Sequence, residues 1–151
     1  MKIGKQGLQV LQHYEGLRLA SYDDGVGVWT IGWGTTVING VPVKPGMKIT
    51  AVQADNFLLA DLAVFEKAVN DSVTVPLTQN EFDALVVMAY NIGAGAFKSS
   101  TLVKELNKGN KCEVPVQMMR WTKAKGKTLA GLVKRRQSEG DLFKLGVVKF
   151  Y

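Results

Sequence analysis

Strand-like sequence occurs in one block of this chain, and helical periodicity fills what lies on either side of it. The block, from about residue 16 to about residue 50, is rich in Val, Trp, Thr and Ile. It carries the turn pairs Asp24-Gly25 and Asn39-Gly40, which predict a small antiparallel sheet with exposed turns. The expected fold class is therefore α+β: a helix, a small sheet, then mostly helices.

The helices can be placed by spacing. Ile3, Leu8, Leu11 and Tyr14 predict an amphipathic helix over roughly residues 3–14. Thr50 and Gln53 are spaced as a capping box that opens a long helix, with Leu58, Leu62, Phe65 and Val69 as its apolar stripe and an end near Asn70. Its length suits a connector between a sheet-bearing lobe and a helical lobe. Thr78 and Glu81 form a second capping box, followed by Phe82, Leu85, Val86 and Ala89 as a buried face that Gly93 and Gly95 interrupt. Shorter helices are expected over about 100–108, about 112–123 and 132–145, with Gly126 and Gly131 marking a loop between the last two. At 151 residues the chain reads as a single domain in two lobes. The sheet lobe covers about 16–50, and the helical lobe about 70–151 together with the N-terminal helix.

Composition narrows the chemistry. Cys112 is the only cysteine and His13 the only histidine, so an internal disulfide, a histidine-based metal site and a histidine triad are excluded. No cofactor is expected. There is no apolar run near 18–20 residues and no charged-then-apolar segment at the N-terminus, so export by a signal peptide is not expected. Ten Lys/Arg lie between residues 104 and 136 against Glu105 and Glu113. That is a net +8 within a total of +6, leaving −2 elsewhere. A basic surface of this kind attracts anionic polymers, although a merely solvated face fits the charge run equally well.

Glu15 and Asp24 are the candidate catalytic pair. Glu15 falls on the apolar stripe at the end of the first helix, before a glycine suited to a left-handed helix end. A carboxylate there faces the negative end of the helix dipole, which suits a group that must hold a proton. The helix by itself favours a plainer reading, a solvated glutamate at a fraying end. Asp24 sits on a wet turn, where it can polarise a water that the Thr30 hydroxyl could hold. Turn chemistry alone accounts for both Asp23 and Asp24. Only the combination of Glu15, Asp24 and Thr30 points to acid-catalysed cleavage of a glycosidic bond by two carboxylates.

With these residues the chain resembles the phage-type lysozymes, the endolysins of glycoside hydrolase family 24. The resemblance rests on Glu, eight residues, Asp, five residues, Thr, met without a gap by Glu15, Asp24 and Thr30. It is reinforced by Thr30-Ile31-Gly32-Trp33-Gly34, Tyr90-Asn91-Ile92-Gly93-Ala94-Gly95, Phe97 to Leu102, and Gly131-Leu132 with Arg135-Arg136. It implies a lysozyme-like fold, with the glutamate as general acid, the aspartate assisting attack by water and the threonine beside that water. It also implies inversion at the anomeric carbon. The implied substrate is peptidoglycan, cut between N-acetylmuramic acid and N-acetylglucosamine in a cleft between the lobes. Thr36, Tyr90 and Ser100 match sugar-facing positions. Core packing is an alternative for Tyr90. Arg135 matches a supporting arginine that approaches the glutamate, or is one more residue of the basic run. Family members usually carry a histidine where Thr35 stands. Its pairing with an acid on the long helix, Asp61 here, cannot form in the same way.

Two other readings compete. A lytic transglycosylase cuts the same bond with one essential acid, but it has no use for Asp24 and Thr30. A non-catalytic envelope- or nucleic-acid-binding module would use the basic segment and leave Glu15 dispensable. The hydrolase reading implies peptidoglycan as partner, no nucleic acid, no stable membrane insertion and a monomer. It also implies accumulation in the host cytoplasm, with dependence on a holin to reach the wall in the periplasm.

Overall fold

A computed structural model describes residues 1–151 and divides them into two compact units, Gln12–Ala63 and Met1–Leu11 with Val64–Tyr151. The divisions fall inside helix α1 (Lys5–Glu15) and helix α2 (Ala51–Ser72).

The sheet unit is built on strands β1 (Arg18–Asp23) and β2 (Trp29–Gly32), antiparallel with Tyr22 opposite Thr30 and Asp23 opposite Trp29. Nearer its start, β1 is irregular: its register shifts between Arg18 and Tyr22. There the chain pairs elsewhere, Ser21 N–H bonding the Met47 carbonyl and Ile49 N–H the Leu19 carbonyl, each at 2.9 Å. Asn39-Gly40 makes the two-residue turn expected of it, with φ of 49° and 79°, between β3 (Val37–Ile38) and β4 (Val41–Pro42). The capping box of α2 also forms, with reciprocal bonds between Thr50 and Gln53 of 2.9 and 3.1 Å. In this unit α2 buries Ala54, Leu58 and Leu62. Gly32 (φ +67°) lets β2 pass so close that a Cβ there would lie 3.3 Å from that of Ala54.

The helical unit is organised around α3 (Gln79–Ile92), capped reciprocally by Thr78 and Glu81 as their spacing predicted. Phe82 to Ala89 are all buried, so no face of this stretch meets water. Along it packs α7 (Ala130–Leu145). Between them in sequence come α4 (Ala94–Lys98), α5 (Thr101–Asn107), a 3₁₀ turn at Lys111–Glu113 and α6 (Val114–Met118). Phe97, Leu102, Leu106 and Met118 complete the core. Asp83 is 1% exposed, and its carboxylate accepts the N–H groups of Gly4 and Gly7 and the Gln79 side-chain amide. It thereby satisfies first-turn donors of α1 that the helix itself cannot. Gly7 is required by this approach, since a Cβ would lie 2.7 Å from that of Asp83.

The expected helix over 112–123 is not what forms. Helix ends at Met118, and residues 123–128 make a hairpin of β5 (Lys123–Ala124) and β6 (Lys127–Thr128). The reason is the Lys125-Gly126 turn, both residues at positive φ (52° and 77°), which closes a two-residue hairpin of the favoured hand. The last helix starts at Ala130 rather than 132, so Gly131 lies within it. The basic run also needs correction. Arg135 and Arg136 are 5% and 1% exposed, both paired with Glu139, and Arg136 also donates to the Asn91 side chain. Neither belongs to a solvated basic face.

Candidate active site

Three candidate catalytic residues fall in the sheet unit, each placed by local chain geometry. Glu15 is the last residue of α1 and half-buried. Gly16, at φ +69°, ends the helix in the left-handed conformation its position suggested, its N–H returning 3.1 Å to the Gln12 carbonyl. The chain then turns directly into β1.

The loop from β1 to β2 is held by its two aspartates. Asp23 Oδ1 accepts the N–H groups of Gly25 and Gly27, and Asp24 Oδ1 those of Val26 and Val28, at 2.8–3.1 Å. Both loop bonds of Asp24 fall on Oδ1, so Oδ2 of this exposed residue is the oxygen open to a water. Side chains alternate across a strand, and directly opposed residues share a face. Asp23 and Trp29 therefore lie on one face, and Tyr22 and Thr30 on the other. Asp24 N–H bonds the Val28 carbonyl at 3.0 Å, which carries the alternation one residue further and puts Asp24 on the face of Tyr22 and Thr30. Thr30 is 6% exposed, and its hydroxyl donates to the Val28 carbonyl at 3.4 Å, a long and weak bond. Sequence reasoning did not single out Tyr22, which shares this face and carries the Arg18 guanidinium 4.7 Å from its ring centroid. The i, i+2 step back from Asp24 was the signal available for it.

Behind this hairpin the chain is tied to α2. Ile31 and Thr35 exchange two backbone bonds of 2.9 Å around Gly32-Trp33-Gly34, and Trp33 Nε1 donates to Asp55 at 2.8 Å. The buried Thr35 hydroxyl donates to Asp61 Oδ2 at 2.8 Å. The pairing that cannot form as it would with a histidine is here a neutral hydroxyl's hydrogen bond, without an opposing charge. Burial pushes the Asp61 carboxyl above the usual range, partly offset by the Thr35 hydroxyl.

A raised folded-state pKa means that the folded protein holds the Asp61 proton more tightly than the unfolded chain does. Asp61 therefore favours folding most at acid pH, and this contribution falls as pH rises through the folded value. Asp61→Asn, which keeps an acceptor for Thr35, is expected to be more stable than the parent at pH 7. The difference should vanish below about pH 3, where both forms are neutral. Thr35→Val removes the donor and is expected to cost about 1–3 kcal/mol at pH 7. Urea unfolding at both pH values reads each effect; an Asp61→Asn protein less stable than its parent at pH 7 would contradict this account.

Thr36 is exposed in the sheet unit, while Tyr90, Ser100 and Arg135 belong to the helical unit. Tyr90 is half-buried and meets Phe65 edge-on at 5.2 Å. Ser100 is the N-cap of α5, its hydroxyl donating to the Phe97 carbonyl at 2.7 Å and accepting from Val103 N–H at 3.3 Å. Arg135 Nε lies 3.4 Å from Glu139 Oε2 on the next turn of α7. No cluster of three or more His, Cys, Asp or Glu side chains is arranged to hold a metal ion.

Comparison with known proteins gives concordant matches. A family model described as phage lysozyme matches residues 12–139. An endolysin of Acyrthosiphon pisum secondary endosymbiont phage 1 is 44% identical over 147 residues, 95% of this chain and 98% of that protein. The solved endolysin of Escherichia coli O157:H7 phage FAHEc1 is 47% identical with a TM-score of 0.92, covering 99% of this chain and 97% of that one. The muramidase domain of SpmX from Asticaccaulis excentricus is 39% identical with a TM-score of 0.87, over 95% of this chain and 97% of its own.

Proposed function

The chain belongs to the phage lysozyme family, and we propose that Glu15 and Asp24 are the two working carboxylates of its reaction. The fold is lysozyme-like and the activity is peptidoglycan hydrolysis in phage lysis. The bond cut is the β-1,4 link between N-acetylmuramic acid and N-acetylglucosamine. One observation carries the assignment. The β1–β2 register puts Thr30 and Asp23 on opposite faces, and continuing its alternation through the Asp24–Val28 backbone bond gives Asp24 the face of Thr30, in the same compact unit as Glu15.

In this reading Glu15 donates its proton to the leaving glycosidic oxygen as the bond breaks. Asp24 Oδ2 accepts a proton from the attacking water, while Oδ1 stays bound to the loop amides and keeps the carboxylate in place. Thr30 gives up its weak bond to Val28 and holds the water by its hydroxyl. Thr36, Tyr90 and Ser100 contact the sugar chain, and Arg135 supports the site through its charge. The Ser100 hydroxyl is already engaged twice, as donor to the Phe97 carbonyl and acceptor from Val103 N–H, so a sugar hydroxyl must compete with those bonds. The enzyme needs no cofactor, acts as a monomer and accumulates in the host cytoplasm. It reaches the wall after a holin permeabilises the membrane.

Water rather than a covalent intermediate implies inversion. An inverting pair of carboxyl groups stands ~6.5–9.5 Å apart, against ~5–5.5 Å for a nucleophilic pair. The expected first product from the β-linked chain is the α-anomer with a reducing muramic acid end. NMR of a fresh digest reads the anomer, and mass spectrometry reads the end. An initial β-anomer would overturn the water mechanism, and anhydro ends would replace hydrolysis by transglycosylation.

A further inference from the structure

No acidic residue occurs between Glu113 and Glu139, yet seven Lys/Arg do: Arg120, Lys123, Lys125, Lys127, Lys134, Arg135 and Arg136. The last two are buried against Glu139, which leaves the charge concentrated on and beside the β5–β6 hairpin. Arg120, Lys123, Lys125 and Lys127 are all exposed, and none has a carboxylate within ion-pair distance. The hairpin register places Lys123 opposite Thr128 and Lys127 opposite Ala124. Those pairs project to opposite faces, and Lys125 stands on the turn between them. Cationic groups therefore surround this hairpin rather than line one side of it.

Apolar surface adjoins the charge. Leu129 N–H bonds the Thr122 carbonyl at 2.9 Å to close the hairpin base, and the Thr122 hydroxyl bonds the Met119 carbonyl at 3.3 Å. Leu129 and Met119 are 43% and 39% exposed, so two large aliphatic side chains flank the base. A hairpin this short spans only ~7 Å at about 3.3 Å per residue. Laid along a surface, it brings base and tip to it together.

We propose that the β5–β6 hairpin docks the protein on an anionic phospholipid leaflet. Its lysines would meet headgroup phosphates, and Leu129 and Met119 the boundary with the acyl chains. A nucleic acid fits less well. Single strands are held by a cationic groove with aromatic stacking platforms, and no aromatic residue lies between Trp121 and Phe143. Docking would be peripheral, as no helix here is long and apolar enough to cross a membrane. This surface is independent of the hydrolytic assignment.

The test is sedimentation with vesicles of pure phosphatidylcholine or of phosphatidylcholine with phosphatidylglycerol. The parent should bind only the anionic vesicles, and less as salt shortens the Debye length from about 10 Å at 0.1 M. A variant with Lys123→Gln, Lys125→Asn and Lys127→Gln should lose about a hundredfold in partitioning, at roughly 1 kcal/mol per lysine. Asparagine is chosen at 125 because it tolerates the positive φ. Met119→Gln with Leu129→Ser should weaken vesicle binding several-fold and leave binding to soluble polyphosphate unchanged. All variants should hydrolyse soluble wall fragments as the parent does, and Glu15→Gln should bind vesicles normally. Parental vesicle binding by the lysine variant, or no preference of the parent for anionic lipid, overturns the proposal. An unchanged Met119/Leu129 variant replaces it with a plain polyanion site.

Discussion

Glu15→Gln is expected to fold as its parent does and to lose about 10²–10⁴ in lytic rate, the usual contribution of a positioned general acid. The amide is nearly isosteric with the acid, and the helix end beside it is closed by Gly16 through its left-handed backbone and its N–H bond to the Gln12 carbonyl. What the amide cannot do is give a proton to the leaving oxygen. Clearing of a peptidoglycan suspension reads the rate, and a thermal melt confirms the fold. Near-normal lysis by a folded Glu15→Gln protein would remove the acid assignment and with it the proposed mechanism.

Asp24→Asn should be similarly severe, a loss of about 10²–10⁴ on the same scale, while Asp23→Asn should cost little. The comparison is a close control because the two residues are so alike. Each holds two loop amides through Oδ1, and asparagine retains an acceptor oxygen for those bonds. Each substitution therefore preserves the loop and removes one charge. The difference left between them is their place on the hairpin: Asp23 opposes Trp29, and Asp24 is bonded through its N–H to Val28. Thr30→Ala should fall between the two, since a hydroxyl positions water without taking its proton. If Asp23→Asn proved the more damaging, the catalytic face would be the opposite one.

The helix caps were readable because a cap is a local event. Thr50 with Gln53 and Thr78 with Glu81 bond across three residues, and both pairs form as their spacing requires. The Asn39-Gly40 turn belongs to the same class. The Lys125-Gly126 turn follows the same rule but lay hidden, because a lysine at positive φ is not signalled by its residue type. Among the candidate site residues, Glu15, Asp24 and Thr30 could be found from spacing. The same spacing selects Asp24 over its neighbour Asp23, which the strand register sets opposite Trp29.

What the sequence determined by itself, then, is whatever a few neighbouring residues settle among themselves: where helices begin, which turns close, and the spacing of the candidate residues Glu15, Asp24 and Thr30. Partners distant in the chain decided the rest. Arg136 reads as one more surface cation, yet it is buried because Asn91 and Glu139 meet its guanidinium. Asp83 carries no signal of its own in the sequence, and its carboxylate is buried where the start of α1 brings it the amides of Gly4 and Gly7. Thr35 keeps its tie to Asp61 because a buried hydroxyl lies 2.8 Å from that carboxylate, whatever its residue type suggested. Burying a charge or a polar group is costly unless a partner arrives with it, and only the folded chain brings such partners together.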